Sequence, residues 1–197
     1  MEYFKEKVNF KKYVGNHTLL YGENNTKKSY YTAKFVQFLI ETKKVSPISI
    51  SILDFAPKSQ IIDNKSIGGK LEDYYENITI CCYYKVKGEI IPPRLNATNQ
   101  EELYSYACHN YKLTLELLKN YNKNTTPVLI INDISIYLHL GNKNYLIETI
   151  DQSETFFGNA YYGKSINKSF TKLFSLKERV SIEYLIKKVD FALLTQG

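Results

Sequence analysis

The chain contains no run approaching the ~20 apolar residues that a membrane-spanning helix needs, so no membrane partner is expected. Its first residues, Met1-Glu2-Tyr3-Phe4-Lys5-Glu6-Lys7, are too charged and too poor in apolar side chains for a secretory signal. A cytoplasmic location is the expectation. Cysteine is scarce: Cys81, Cys82 and Cys108. An odd number, with two adjacent in a strand-like run, does not make a disulfide framework. No Cys-x-x-Cys or Cys/His spacing suits zinc, and Cys108-His109 reads as a structural neighbour pair. Internal repeats and low-complexity tails are also missing. What is left is a chain of 197 residues, expected to form one domain over 1–197 with room for a layered core.

The formal charge is +6, which admits an anionic partner: a nucleotide, a nucleic acid or an acidic lipid. Lys, Asn, Ile and Tyr are abundant together, a compositional bias sufficient to produce that charge. The same bias yields Asn-x-Ser/Thr triplets such as Asn77-Ile78-Thr79, which are not read as glycosylation sites.

The most informative stretch runs from Thr18 to Glu41. An apolar strand, Thr18 to Tyr21, enters a short polar turn that ends in Lys28-Ser29. An amphipathic run follows, with Tyr31, Phe35, Val36, Phe38, Leu39 and Ile40 on one broad face. A helix beginning near Lys28 points its positive end at the turn. The turn, Gly22-Glu23-Asn24-Asn25-Thr26-Lys27-Lys28-Ser29, resembles the phosphate-binding loop G-x-x-x-x-G-K-[ST] of the P-loop NTPase superfamily. The first Gly, the Lys and the Ser match, and Lys27 stands where the pattern has its second Gly. Glycine there lets the chain pass close to phosphates without a Cβ. Lys27 either points outward as an extra charge or obstructs the site. The resemblance implies ATP or GTP bound through residues 22–29, with Lys28 reaching the β- and γ-phosphates and Ser29 ligating Mg²⁺.

A second stretch, Gly158-Asn159-Ala160-Tyr161-Tyr162-Gly163-Lys164-Ser165, matches that pattern without departure. Its context is wrong. Ser153 to Phe157 makes at most a short strand, and Ile166 to Thr171 has no helical stripe. About thirty residues follow it, too few for a core of roughly a hundred. It is expected to be a Gly-hinged, Tyr-rich loop near the nucleotide.

Along the chain, residues 1–16 read as a leading strand or short helix. Helix A is expected over 28–43. Strand two is Ile48 to Leu53, whose alternating Ile and Ser suggest one less apolar face. Asp54 at its C-terminal end faces the ligand edge of an open sheet, either orienting a nucleophile or serving as a turn acid before Pro57. Gly68-Gly69-Lys70 is a plain turn or an anion contact. Strand three is expected over 78–84, then a loop carrying Pro92-Pro93-Arg94, where Arg94 is either a phosphate contact or a surface residue. Helix B opens at Thr98 or Asn99 with Glu101 and Glu102 in its first turn and runs to Asn120. Strand four, Pro127 to Asp133, is continuously apolar, as in a central strand covered on both faces. It resembles the Walker B element of the same superfamily, which implies that Asp133 binds Mg²⁺ opposite Ser29. Asn132 interrupts it and is a possible hydrogen-bonding partner. A helix broken near Gly141 spans 137–152. Another spans 175–187 with Ser175 as N-cap and Glu178 in a capping box, and Arg179 there is a phosphate contact or a solvated side chain. Asp190 to Thr195 is a last buried strand.

This order predicts a three-layer α/β/α fold with a mostly parallel sheet. Three functions follow. The first is a Mg²⁺-dependent ATPase or kinase in which Lys28, Asp54 and Asp133 carry the chemistry. The second is a non-catalytic nucleotide sensor with a weakened loop. The third is a basic nucleic-acid-binding module using the tyrosines.

Overall fold

A computed structural model of the chain describes residues 2–3, 8–62, 65–163 and 169–196. Several runs too apolar to face water become strands covered on both sides. The strands are β1 (Glu2–Tyr3), β2 (His17–Gly22), β3 (Ile50–Asp54), β4 (Gln60–Ile62), β5 (Lys65–Ile67), β6 (Cys82–Lys85), β7 (Val128–Asn132), β8 (Thr155–Tyr161) and β9 (Phe191–Thr195). Seven of them form one sheet in the order β1-β9-β2-β8-β7-β3-β6, with every neighbouring pair parallel. Strands β4 and β5 make a separate antiparallel hairpin.

Because strand side chains alternate, each central strand feeds two cores. Leu129 and Ile131 of β7, Leu19 and Tyr21 of β2, and Phe156 and Ala160 of β8 enter one core. Val128, Ile130, Leu20 and Phe157 enter the other. The first core is closed by helices α3 (Gln100–Lys123), α4 (Ile134–Leu138), α5 (Lys143–Ile150) and α6 (Lys172–Ile186). The second is closed by α1 (Lys28–Gln37), whose Phe35 ring stacks on Phe157 at 4.3 Å. The result is a three-layer α/β/α arrangement. Each fully buried Leu, Ile or Phe in it contributes about 1.5–3 kcal/mol.

The central strand β8 departs most from expectation. Ser153 to Phe157 was to be at most a short strand and the following residues a loop, yet Gly158 to Tyr161 continue the strand between β2 and β7. Gly158 is needed for packing, since a Cβ there would lie 2.8 Å from Ile134 Cδ1. Asn159 is buried with both ends of its amide hydrogen-bonded. Lys164 and Ser165 of that stretch lie outside the described residues, as do Phe4 to Lys7.

Other boundaries differ for local reasons. The expected strand over 78–84 begins only at Cys82, because Glu76–Ile80 winds into a 3₁₀ turn. Strand β3 starts at Ile50 after a turn opened by Pro47, and all its residues, Ser51 included, are buried. Helix α1 loosens into a π-turn over Phe38–Thr42. Pro93–Asn96 forms one helical turn, α2, where a loop was expected. Asn99 caps α3 as foreseen, its side chain accepting from Glu102 N at 3.0 Å. Helix α6 begins at Lys172, three residues before the expected cap, so Ser175 lies inside it and Glu178 is free for another role. No helix among the described residues is long and apolar enough to cross a membrane.

Candidate functional site

The C-terminal ends of β2, β8, β7 and β3 lie side by side, the edge at which parallel α/β sheets place ligands. Gly22 ends β2 because the chain passes against β9. A Cβ at Gly22 would sit 2.6 Å from Thr195 O. The loop that follows holds two non-glycine residues in the left-handed region, Asn25 at φ 58° and Lys27 at φ 59°. Lys27 thus adopts a backbone shape that glycine takes at no steric cost. Its side chain is exposed, and Lys27 is one of the residues that line the cavity at this loop.

Lys28 turns back over the loop. Its Nζ donates to Gly22 O at 3.1 Å, to Thr26 Oγ1 at 3.3 Å and to Glu23 O. Burial pulls its pKa down to about 8, partly opposed by the negative charges of Asp133 and Glu23. No side chain caps the N-terminus of α1, so the positive end of that helix is open to an anion.

Behind the loop a polar network ties the strand ends together. Ser29 Oγ donates to Asn132 Oδ1 at 3.0 Å, and Asn159 Nδ2 donates to the same oxygen at 2.8 Å. Asn159 also donates to Thr32 Oγ1 at 2.9 Å and accepts from Asp133 N at 3.1 Å. Asn132 Nδ2 donates to Asp54 Oδ1 at 2.8 Å and to Gly69 O at 3.1 Å. The residue that faces Ser29 directly is therefore Asn132, one place before the expected acid.

Asp133 sits at the turn into α4 with φ 56°. It lines one cavity together with Asn24, Thr26, Lys28, Ser29 and Asn159. Burial pushes its carboxyl up to about 7, and Glu178 adds to the rise against the opposing pull of Lys28 and Arg94. Asp54 is placed differently. It is fully buried, and Ala56 N, Leu71 N, Tyr83 OH and Asn132 Nδ2 all donate to its carboxylate. Lys70 Nζ lies 3.7 Å from it. Its oxygens hold loops in place; Asp54 does not line the cavity, but Ala56, which donates to it, does. Burial, then the neighbouring Asp54 charge, holds the Tyr83 phenol well above its ordinary pKa, so it stays a donor.

A second cluster borders the same cleft. Arg94, on α2, forms a buried two-pronged pair with Glu178 of α6 (2.5 and 3.2 Å) and lies 4.7 Å above the Tyr161 ring. His139 Nε2 is 3.5 Å from Glu178 Oε1, yet among the described residues neither ring nitrogen has a well-aligned hydrogen bond. Burial keeps the imidazole pKa below its usual value. Burial alone would raise Glu178, but Arg94 and His139 outweigh it and leave it lowered. Arg179 turns to Tyr162 and Glu183 instead of the loop. The stretch after β8 does lie against the loop, with Tyr162 N donating to Gly22 O at 2.9 Å.

The structure thus gathers Asn24 to Ser29 and Asp133 at one cavity, with Gly22 and Glu23 leading into it, and sets Asp54 behind it. Sequence reasoning missed Asn159, hidden in a stretch read as a loop, and the Arg94–Glu178 pair, whose partners are 84 positions apart. It noted Asn132 without placing it opposite Ser29. Among the described residues, no three His, Cys, Asp or Glu side chains come together to hold a metal. No protein-family model matches the chain, and no curated protein sequence matches it.

Proposed function

We propose that this protein binds a nucleoside triphosphate, ATP or GTP, with its phosphates in the Gly22–Ser29 loop, and transfers the terminal phosphoryl group in a Mg²⁺-dependent reaction. The observation that carries this reading is the convergence of Lys28, Ser29 and Asp133 on one cavity at the end of an uncapped helix. It supports the likeness of residues 22–29 to a P-loop. Lys28 would exchange loop carbonyls for phosphate oxygens and neutralise their charge. Asp133, with a carboxyl near 7, suits a group that accepts a proton from the attacking hydroxyl or water.

Oxygen donors stand together at Ser29: its own hydroxyl and the Asn132 Oδ1 that it bonds at 3.0 Å. That set suits Mg²⁺, which binds few protein groups and keeps water and phosphate oxygens for the rest. When bound, the ion would neutralise charge on the phosphates. Asn132 and Ser29 would position it, and Asn159 would hold Asn132.

Lys28→Ala should lower nucleotide turnover at least a hundredfold and weaken ATP binding, measured by phosphate release and calorimetry. Asp133→Asn should abolish turnover while ATP still binds. Turnover that survives both changes overturns the site. One observation favours a second reading, a nucleotide sensor without catalysis: a neutral Asn132 faces Ser29 where an acid was expected. ATP affinity with no phosphate release on long incubation would select it.

A further inference from the structure

Beside the loop cavity lies a larger one, about 780 Å³, beyond the C-terminal ends of β3 and β6. That volume is in the range of small-molecule sites, about 300–1,000 Å³. We propose that it receives the phosphoryl acceptor, a metabolite-sized anion bearing a hydroxyl group. The proposal rests on the nucleotide reading above and names its second substrate.

Position supports this first. Ala56 and Tyr74 line both cavities, so an occupant of the larger one abuts the smaller. Asn132 ends β7 and Asp133 follows it, so on the nucleotide reading the terminal phosphate would lie near that strand end. The larger cavity lies further along the same edge, past β3. The covalent frame is continuous as well. Asn132, which meets Ser29, also holds Gly69 O at 3.1 Å, and the next residue, Lys70, lines the larger cavity. Gly68 and Gly69, at φ 79° and 133°, let this turn close on the 57–58 backbone. A Cβ at Gly68 would lie 2.7 Å from Lys58 O.

Charge supports it second. Glu72 is paired with Lys85 at 2.5 Å, and Asp73 accepts from Lys70 N at 2.9 Å. Among the described residues, Lys58 has no ion-pair partner, and Lys70 Nζ spends one hydrogen bond on Asp54 O at 3.1 Å. Lys70 Nζ also lies 3.7 Å from the Asp54 carboxylate, so among the described residues Lys58 is the lining cation that remains for an acidic group, against walls formed by Val86 and Tyr74. Glu89, exposed on the same wall, is placed to accept from a hydroxyl. In the reaction, the acceptor oxygen forms the new bond to the γ-phosphorus. The bond from that phosphorus to the β,γ-bridging oxygen breaks, and its electron pair leaves with the nucleoside diphosphate. The hydroxyl proton leaves to solvent water.

Carboxylate and phosphate share this chemistry, and one experiment separates the two. The protein is incubated with Mg²⁺, γ-labelled ATP and a protein-free small-molecule extract of the organism that encodes it. A parallel extract is first treated with alkaline phosphatase, which is then removed by filtration. The expected result is label in an organic product. Survival after phosphatase treatment identifies a carboxylate acceptor, and loss identifies a phosphate ester. Lys58→Glu and Val86→Trp should each cut that product at least tenfold while ATP affinity stays within twofold. Lys58 is exposed, so its variant remains informative if Val86→Trp fails to fold. Label found solely in inorganic phosphate, or a product indifferent to both variants, overturns the acceptor site and leaves the nucleotide reading standing. Failure of the wild-type protein to bind ATP removes the nucleotide reading itself.

Discussion

Lys27 shows how one backbone angle can account for a departure from a pattern. At φ 59° a non-glycine residue carries a cost of about 1–2 kcal/mol, and glycine returns part of that through its larger unfolded-state entropy. Lys27→Gly should therefore stabilise the protein by about 0.5–1 kcal/mol, read from denaturant midpoints. Lys27→Val should destabilise it, because β-branched side chains fit this region worst. Asp133 and Lys28 give the pH dependence. A carboxyl raised to about 7 must lose its proton before it can act as a base, so turnover should rise with pH through about 7. Above about 8 Lys28 loses its charge and phosphate binding weakens. The optimum should fall between those values in a pH–rate profile. The stability sign is opposite. The folded state binds the Asp133 proton more tightly than the unfolded chain does, so stability falls as pH rises from about 4 to 7. Asp133→Asn removes that fall and should leave the protein more stable at pH 8, by at least about 1 kcal/mol.

At the level of elements, the Arg94–Glu178 pair joins α2 to α6 across the cleft with both side chains almost sealed from water. Removing one partner leaves a buried charge, and Glu178→Gln should cost about 3–5 kcal/mol. Replacing both with apolar residues, Arg94→Met with Glu178→Leu, should cost far less. Thermal or urea unfolding of the two singles and the double would measure the coupling. Such a pair is hard to read in a sequence, because nothing local marks it. Glu178 even satisfied the spacing of a capping box. Strand β8 was obscured for a related reason. Gly158 and Asn159 break the apolar run, and their presence makes sense only once Ile134 packs on one and Asn132 bonds the other. By contrast β7, α3 and the Lys28–Gln37 helix were legible, since their signals are local: an unbroken apolar run, an Asn cap with acids behind it, and a wide apolar stripe.

For the whole molecule, the three-layer class followed from apolar strands alternating with amphipathic helices, and the sheet is parallel throughout. Strand order could not be read off the chain, because it depends on which crossover packs on which face. It is strand order that sets β8 between β2 and β7 and so gives Asn159 its place at the centre of the network. A ligand that binds only the folded chain stabilises it by mass action. Mg²⁺ with ATP at a hundred times the dissociation constant should add about 2.7 kcal/mol. Differential scanning calorimetry should show the shift in the wild type and its absence in Lys28→Ala.

The folded-back Lys28 has one more consequence. Its ammonium is held by the carbonyls of Gly22 and Glu23, so an anion that takes up this ammonium must first replace those bonds. A lone orthophosphate meets an occupied cation. On the proposed nucleotide reading, a polyphosphate that also engaged the α1 terminus would be better able to draw that cation away, and the loop would then sort long anions from short ones.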